Sequence, residues 1–134
     1  MSKSASDVQS RILLTDTTAQ IKSKIRGAVT DSLVGVTYDP IGRPGAANLL
    51  TILAACTNEE PHEVAERYLN KGHGDLKADV VDAVEELLRG PRAEFEKLKG
   101  ETGYLSEVAR SGAARARERS EVTMQEVRRR VGLA

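Results

Sequence analysis

At 134 residues, 40% of them hydrophobic and 30% charged, the chain is long enough to bury one core and has the balance of an ordinary globular domain. Its formal net charge is zero, so bulk charge announces neither a nucleic-acid nor a membrane partner. Aromatics are only 3% and Cys56 is the sole cysteine, which leaves Leu, Val, Ile and Ala to fill the core and excludes an internal disulfide or a multi-thiolate metal site.

Residues 1–9 are polar and lack the apolar centre of a secretory signal. The first helix is expected over about residues 18–30. Thr17 stands where an N-cap belongs and Gln20 follows three positions later, the spacing of a capping box. Ile21, Ile25, Ala28 and Val29 supply its apolar stripe. Residues 31–45 read as a loop, broken by Asp39-Pro40, Gly42 and Arg43-Pro44-Gly45. Within it, 33–38 (LVGVTY) is the only stretch with the composition of a short extended piece.

Residues 46–56 predict a helix that is apolar nearly all round, which belongs in the middle of a domain. With Asn48 and Thr51 inside it, this stretch is too short to span a bilayer. Pro61 suits the first turn of another helix, running to about Leu69, before Asn70, Gly72 and Gly74 end it. From 75 to about 99, Leu76, Val80, Ala83, Val84, Leu87, Pro91, Phe95 and Leu98 recur at steps of three and four. Gly90-Pro91 is expected to kink that helix, because Pro91 has no N–H for the carbonyl of Leu87. A last helix over about 103–130 has an expected inner stripe of Leu105, Val108, Gly112, Ala116, Thr123, Val127 and Val131. Its small residues Ala109, Gly112, Ala113 and Ala116 would admit a close neighbour. The expected fold is all-α: a bundle of about five helices behind a flexible N-terminal loop.

Several patterns bear on chemistry. Residues 109–131 hold seven arginines against three glutamates, a local surplus of four positive charges. Phosphate backbones attract such patches, although arginines also solvate helix faces and pair with glutamates. Asp75, Asp79, Asp82 and Glu86 form one acidic stripe, read as a solvated face because a metal site needs tighter convergence and more varied ligands. His73, in Gly-His-Gly, reads as a turn residue, His62 as a surface first-turn residue and Cys56 as core. Arg43-Pro44-Gly45 lacks the glycine and lysine spacing of a phosphate loop. It is read as a tight turn, with Asn48 a polar anchor near the helix start.

Met1-Ser2-Lys3-Ser4 matches the last four residues of the lysine-Met-Ser-Lys-Ser loop of class I aminoacyl-tRNA synthetases. Behind it come Ser10-Arg11-Ile12-Leu13-Leu14-Thr15-Asp16, then Ile21, Lys24 and Ile25, then Ala28-Val29-Thr30-Asp31-Ser32. Gly35-Val36-Thr37-Tyr38-Asp39-Pro40, Arg43-Pro44-Gly45, Asn48-Leu49-Leu50 and the run from Gly72 to Asp79 follow, with Gly112-Ala113 and Ala116-Arg117 in the last helix. In this order the chain resembles, along essentially its whole length, the C-terminal part of tryptophanyl-tRNA synthetases of bacterial and mitochondrial type.

The resemblance implies a ligase that joins tryptophan to its tRNA through tryptophanyl-adenylate, with ATP and magnesium as substrate. Lys3 matches the catalytically important second lysine of the loop, and Met1, Ser2 and Ser4 match positions that shape the loop around ATP. The residue type fits that task, since an ammonium on a long stem can follow and neutralise charge building on departing pyrophosphate. Residues 1–16 would be the remnant of the signature loop with its lead-in, and 17–134 a helical domain for the anticodon arm of tryptophan tRNA. Arg115, Arg117 and Arg119 are the candidate RNA contacts. Two departures stand out: the leading lysine of the loop is absent, and so is the nucleotide-binding half with its His-rich loop. The expectation is therefore a piece that does not activate tryptophan alone. The intact enzyme is implied to be a homodimer of the bacterial cytoplasm or mitochondrial matrix, with this piece left as a monomer. No structural metal and no membrane partner are expected. The rival reading is a free-standing helical module that binds RNA or protein without catalysis.

Overall fold

A computed structural model describes residues 7–133. Among them are a short 3-10 turn η1 (Val8–Ser10) and five helices: α1 (Thr18–Gly27), α2 (Pro44–Thr57), α3 (Pro61–Glu66), α4 (His73–Lys99) and α5 (Thr102–Arg130). No strand occurs in the described residues, so the fold is all-α as expected. Stretch 33–38 stays irregular and contributes a single backbone bond, from Val36 N–H to Tyr68 O at 3.0 Å. Met1, Ser2, Lys3 and Ser4 lie outside the described residues. The chain divides into two units, with the boundary between Ala93 and Glu94 inside α4.

The first unit is a helical bundle. Thr17 accepts a hydrogen bond from the Gln20 N–H while the Gln20 side chain accepts from the Thr17 N–H, so the capping box starts α1 as its residues require. The helix stops at Gly27, short of the expected Thr30, and Val29 is 86% exposed. Lys77 caps this end: its Nζ donates to Arg26 O at 3.1 Å and Ala28 O at 2.7 Å, satisfying carbonyls that a helix end leaves open. Pro44 starts α2, where a missing N–H costs nothing, and Asn58 in the left-handed region ends it. Ala46, Ala47, Leu49, Leu50, Leu53 and Ala54 are buried, which makes α2 the central helix its composition predicts. Around it pack Ile21 and Ile25 of α1, Val64 of α3, Val36 and Tyr68 of the loops, and Leu76, Val80 and Val84 of α4.

Two glycines permit this packing. A Cβ at Gly45 would lie 2.1 Å from the Val29 carbonyl oxygen, so the start of α2 can press against the loop after α1 only without a side chain there. Gly35 combines a φ of +72° with Leu69 O at 2.4 Å from its virtual Cβ. The expected stripe of α4 is right in its first turns and then departs. Val81 is buried and Leu88 packs on the core, whereas Leu87 is exposed. The helix continues through Pro91.

The second unit comprises residues 94–134. Glu101 N–H donates to Leu98 O to turn the chain out of α4, and α5 begins one residue later. At the other end, Leu133 N–H reaches Arg128 O at 2.8 Å across Gly132, whose φ is +76°, a left-handed glycine cap. The expected inner stripe of α5 is not buried: no residue of this helix is. Its regularity rests on Ala, Arg and Glu at helix-favouring positions and on ion pairs one turn apart.

Candidate functional site

The lead-in, residues 7–17, is fastened to the bundle over its second half. Asp7 caps η1, accepting from Gln9 N–H at 2.8 Å, and Ile12 packs against the core. Asp16 is buried and its Oδ2 accepts from the Leu13 N–H at 2.8 Å and from Lys24 Nζ at 2.5 Å. Burial works to raise the pKa of Asp16. The Leu13 amide, the bond and charge of Lys24, and the charge of Arg92 together outweigh it and hold the carboxyl below its ordinary value. A second fastening comes from α4. Arg92 donates to Leu14 O at 3.3 Å and forms a forked pair with Glu85, which also accepts from the Thr18 hydroxyl at 3.1 Å. The Arg92 hydrogen bonds are the main reason that the Glu85 carboxyl is held low. Beside this segment runs a groove of about 520 Å³ with an apolar floor that includes Ile12, Ile25, Leu49 and Ile52, and with polar residues of the segment itself, of α1 and of α2, among them Arg11, Lys24 and Asn48, also lining it.

The loop 28–43 is organised around one buried guanidinium. Arg43 grips Asp31 with Nε and Nη2, at 2.9 and 2.7 Å, and donates to the Thr37 hydroxyl and the Gly35 carbonyl. Its Nη2 also lies 3.3 Å from Nε2 of His73, which accepts in the tautomer that keeps its proton on Nδ1. The Arg43 fork holds the Asp31 carboxyl well below the usual carboxylate range. Arg43 and His73 are therefore more than the turn residues expected of them: His73 opens α4 and joins the hub. Asn48 is exposed on α2, His62 is exposed with its ring edge-on to Tyr38, and Cys56 is half-buried against the core with its thiol pushed up by burial.

Three of the four acidic-stripe side chains have local partners. Asp75 accepts from the Gly72 N–H ahead of α4, Asp79 accepts from the Tyr68 hydroxyl, and Glu86 pairs with Arg89. Burial, followed by that Asp79 contact, pushes the Tyr68 phenol up. Among the described residues no three His, Cys, Asp or Glu side chains converge as metal ligands.

On α5, four of the seven arginines are paired within the helix: Arg110 with Glu107, Arg128 with Glu121, and Arg129 and Arg130 with Glu126. The other three are Arg115, Arg117 and Arg119, all exposed and without an ion pair among the described residues. At about 100° per residue, Arg115 and Arg119 share one face and Arg117 lies on another. Sequence reasoning passed over the Asp16–Lys24 pair and the Arg92–Glu85 clamp. A signal for the first existed. Lys24 sits between Ile21 and Ile25 on the apolar face of α1, where a charge requires a buried counter-charge.

The family model for class I tRNA synthetases (W and Y) matches residues 1–89. Curated relatives include a tryptophan–tRNA ligase of Gloeobacter violaceus, 38% identical over 99% of this chain and 39% of its own length. Tryptophan–tRNA ligase 1 of Streptomyces coelicolor is 43% identical over 91% of the chain and 36% of its own length. The mitochondrial tryptophan–tRNA ligase of Saccharomyces cerevisiae is 38% identical over 98% and 35%. Among solved structures, tryptophanyl-tRNA synthetase from Mycoplasma pneumoniae superposes with a TM-score of 0.82 at 25% identity, covering 100% of this chain and 41% of that one. The chain thus spans about two fifths of the length of the relatives it matches.

Proposed function

This chain belongs to the class I tRNA synthetases (W and Y), and from that premise we propose that it is the C-terminal part of a tryptophan–tRNA ligase. The observation that carries the reading is its near full-length likeness to tryptophan–tRNA ligases of bacteria and a mitochondrion. A free-standing binding module has no comparable observation in its favour.

In this reading residues 1–16 are the rear of the signature loop and its root. Met1, Ser2 and Ser4 shape the loop around ATP, and the Lys3 ammonium offsets the charge that builds as pyrophosphate leaves. The pinned stretch behind them supports the assignment. A phosphate-gripping loop must return to one geometry, and the Asp16–Lys24 pair and the Arg92 bond to Leu14 O hold its root in one place. Magnesium enters with ATP as part of the substrate. Residues 17–134 form the helical platform for the anticodon arm of tryptophan tRNA, with Arg115 and Arg119 contacting phosphates on one face and Arg117 on another. A nucleotide-binding domain outside this chain completes the active site, in a homodimer of the bacterial cytoplasm or mitochondrial matrix.

The test is tryptophan-dependent ATP–pyrophosphate exchange. The chain alone should show none. Joined to the nucleotide-binding half of the Streptomyces coelicolor relative it should gain exchange, and Lys3→Ala should lower that rate by about 100-fold or more, the scale of losing one transition-state charge contact. Exchange that is indifferent to Lys3 in the active fusion would refute the loop assignment.

A further inference from the structure

The cations of the first unit are distributed unevenly. Among its described residues Lys24, Arg43, Arg67, Arg89 and Arg92 each hold a carboxylate. Lys71 stacks over the Tyr68 ring at 4.9 Å, and Arg11 is also engaged. The three that remain, Lys22, Arg26 and Lys77, all line one groove of about 390 Å³ between α1 and α4.

Lys22 and Arg26 are four residues apart, so they stand one above the other on the exposed face of α1. Lys77 comes from α4 and is fixed by its bonds to Arg26 O and Ala28 O. Carbonyl oxygens neutralise only part of an ammonium, so its charge still reaches the groove. The rest of the lining is Gly74, Ala78 and Val81, small or apolar, with Asp82 the single carboxylate. In a chain whose charges sum to zero, three cations facing one anion in a groove form a local field that favours a polyanion.

We propose that this groove, lined by Lys22, Arg26 and Lys77, is a docking contact for the sugar–phosphate backbone of RNA, separate from the arginines of α5. The inference rests on the reading of the chain as tRNA-binding and adds a surface to it. Side chains of this kind bind phosphate without reading bases, so the groove contributes affinity and register, not identity.

The experiment uses the full chain and a tryptophan tRNA transcript, with dissociation constants measured by filter binding from 50 to 200 mM salt. Two double variants are compared, Lys22→Gln/Arg26→Gln and Arg115→Gln/Arg119→Gln, each checked for native helix content by circular dichroism. Lys77 is left intact because it also closes α1. The groove variant should bind about tenfold more weakly at low salt, and its log K against log salt slope should fall by about 1.4–1.8, the release expected from two phosphates. The charge-retaining Lys22→Arg/Arg26→Lys variant should restore both. An unchanged slope in the groove variant, with a reduced one in the α5 variant, overturns the groove and leaves tRNA binding standing. Absence of binding by the unmodified chain overturns both. Polyglutamate competing as well as tRNA overturns the RNA assignment in favour of an acidic protein segment.

Discussion

Replacing Lys24 by Met should be the most informative change in the first unit. The side chains of Lys24 and Asp16 are 5% and 7% exposed, and the methionine keeps the stem that packs beside Ile21 and Ile25. What is lost is the ammonium, and Asp16 is left as a buried carboxylate with one amide donor. Removing one partner of a buried pair costs about 3–5 kcal/mol, and the lower end applies in a unit this small, where no side chain is far from water. At a urea m-value of about 2 kcal/mol per molar, 3 kcal/mol moves the midpoint down by about 1.5 M.

The pH dependence distinguishes this from simple loss of packing. In the unmodified chain Asp16 has a lowered pKa, so its contribution is full above about 3.9, the unfolded value, and is lost as pH falls through the folded one. Without Lys24 two of the causes that hold the carboxyl down are gone while burial remains, so the folded pKa rises and acid, by neutralising Asp16, removes less stability from the variant than from the parent. The deficit against the parent should therefore be largest near pH 7 and shrink by pH 4. Asp16→Asn combined with Lys24→Met should recover part of the loss at pH 7. A deficit below about 1 kcal/mol, or one that does not change between pH 7 and 4, would refute the reasoning.

Gly45→Ala places a methyl against the Val29 carbonyl and should cost about 2–3 kcal/mol in thermal or urea unfolding. Gly90→Ala, with nothing within 4 Å of the added carbon, should instead gain about 0.5–1 kcal/mol, and the opposite signs are the check. Thr17→Ala removes half of the capping box and should lose about 1 kcal/mol, read by the same melts. Arg43→Lys keeps the charge but loses the fork on Asp31, so the urea midpoint should fall at pH 7. Because the Asp31 pKa is depressed in the folded state, its contribution is present above about 3.9 and lost below, and the parent and variant curves should converge in acid.

Much of this protein could be read from residue order. Thr17 and Gln20 announced the start of α1 because a capping box is local chemistry within four residues. The apolar run 46–56 identified the central helix, because a helix with no polar face has nowhere else to go. Pro61 marked a first turn, since a missing N–H is harmless there, whereas Pro44, read as part of a tight turn, in fact starts α2 two residues ahead of the expected helix. The likeness to synthetases was legible for the same reason: motifs are short strings in a set order.

Whatever depended on partners distant in sequence was decided only by the tertiary structure. The carbonyls at the end of α1 are bonded by Lys77, about fifty residues away, so residue order alone carries the helix on to Thr30, past its actual end. Arg43 reads as turn punctuation until Asp31, Thr37 and His73 are brought around it. The α5 stripe has helical periodicity, but periodicity states only which residues share a face, not that anything covers it. Likewise, Lys22 and Arg26 resemble ordinary surface charges in the sequence. Folding adds Lys77 beside them and gives the other cations partners of their own, because an ion pair is a matter of distance in space and a sequence records distance only along the chain.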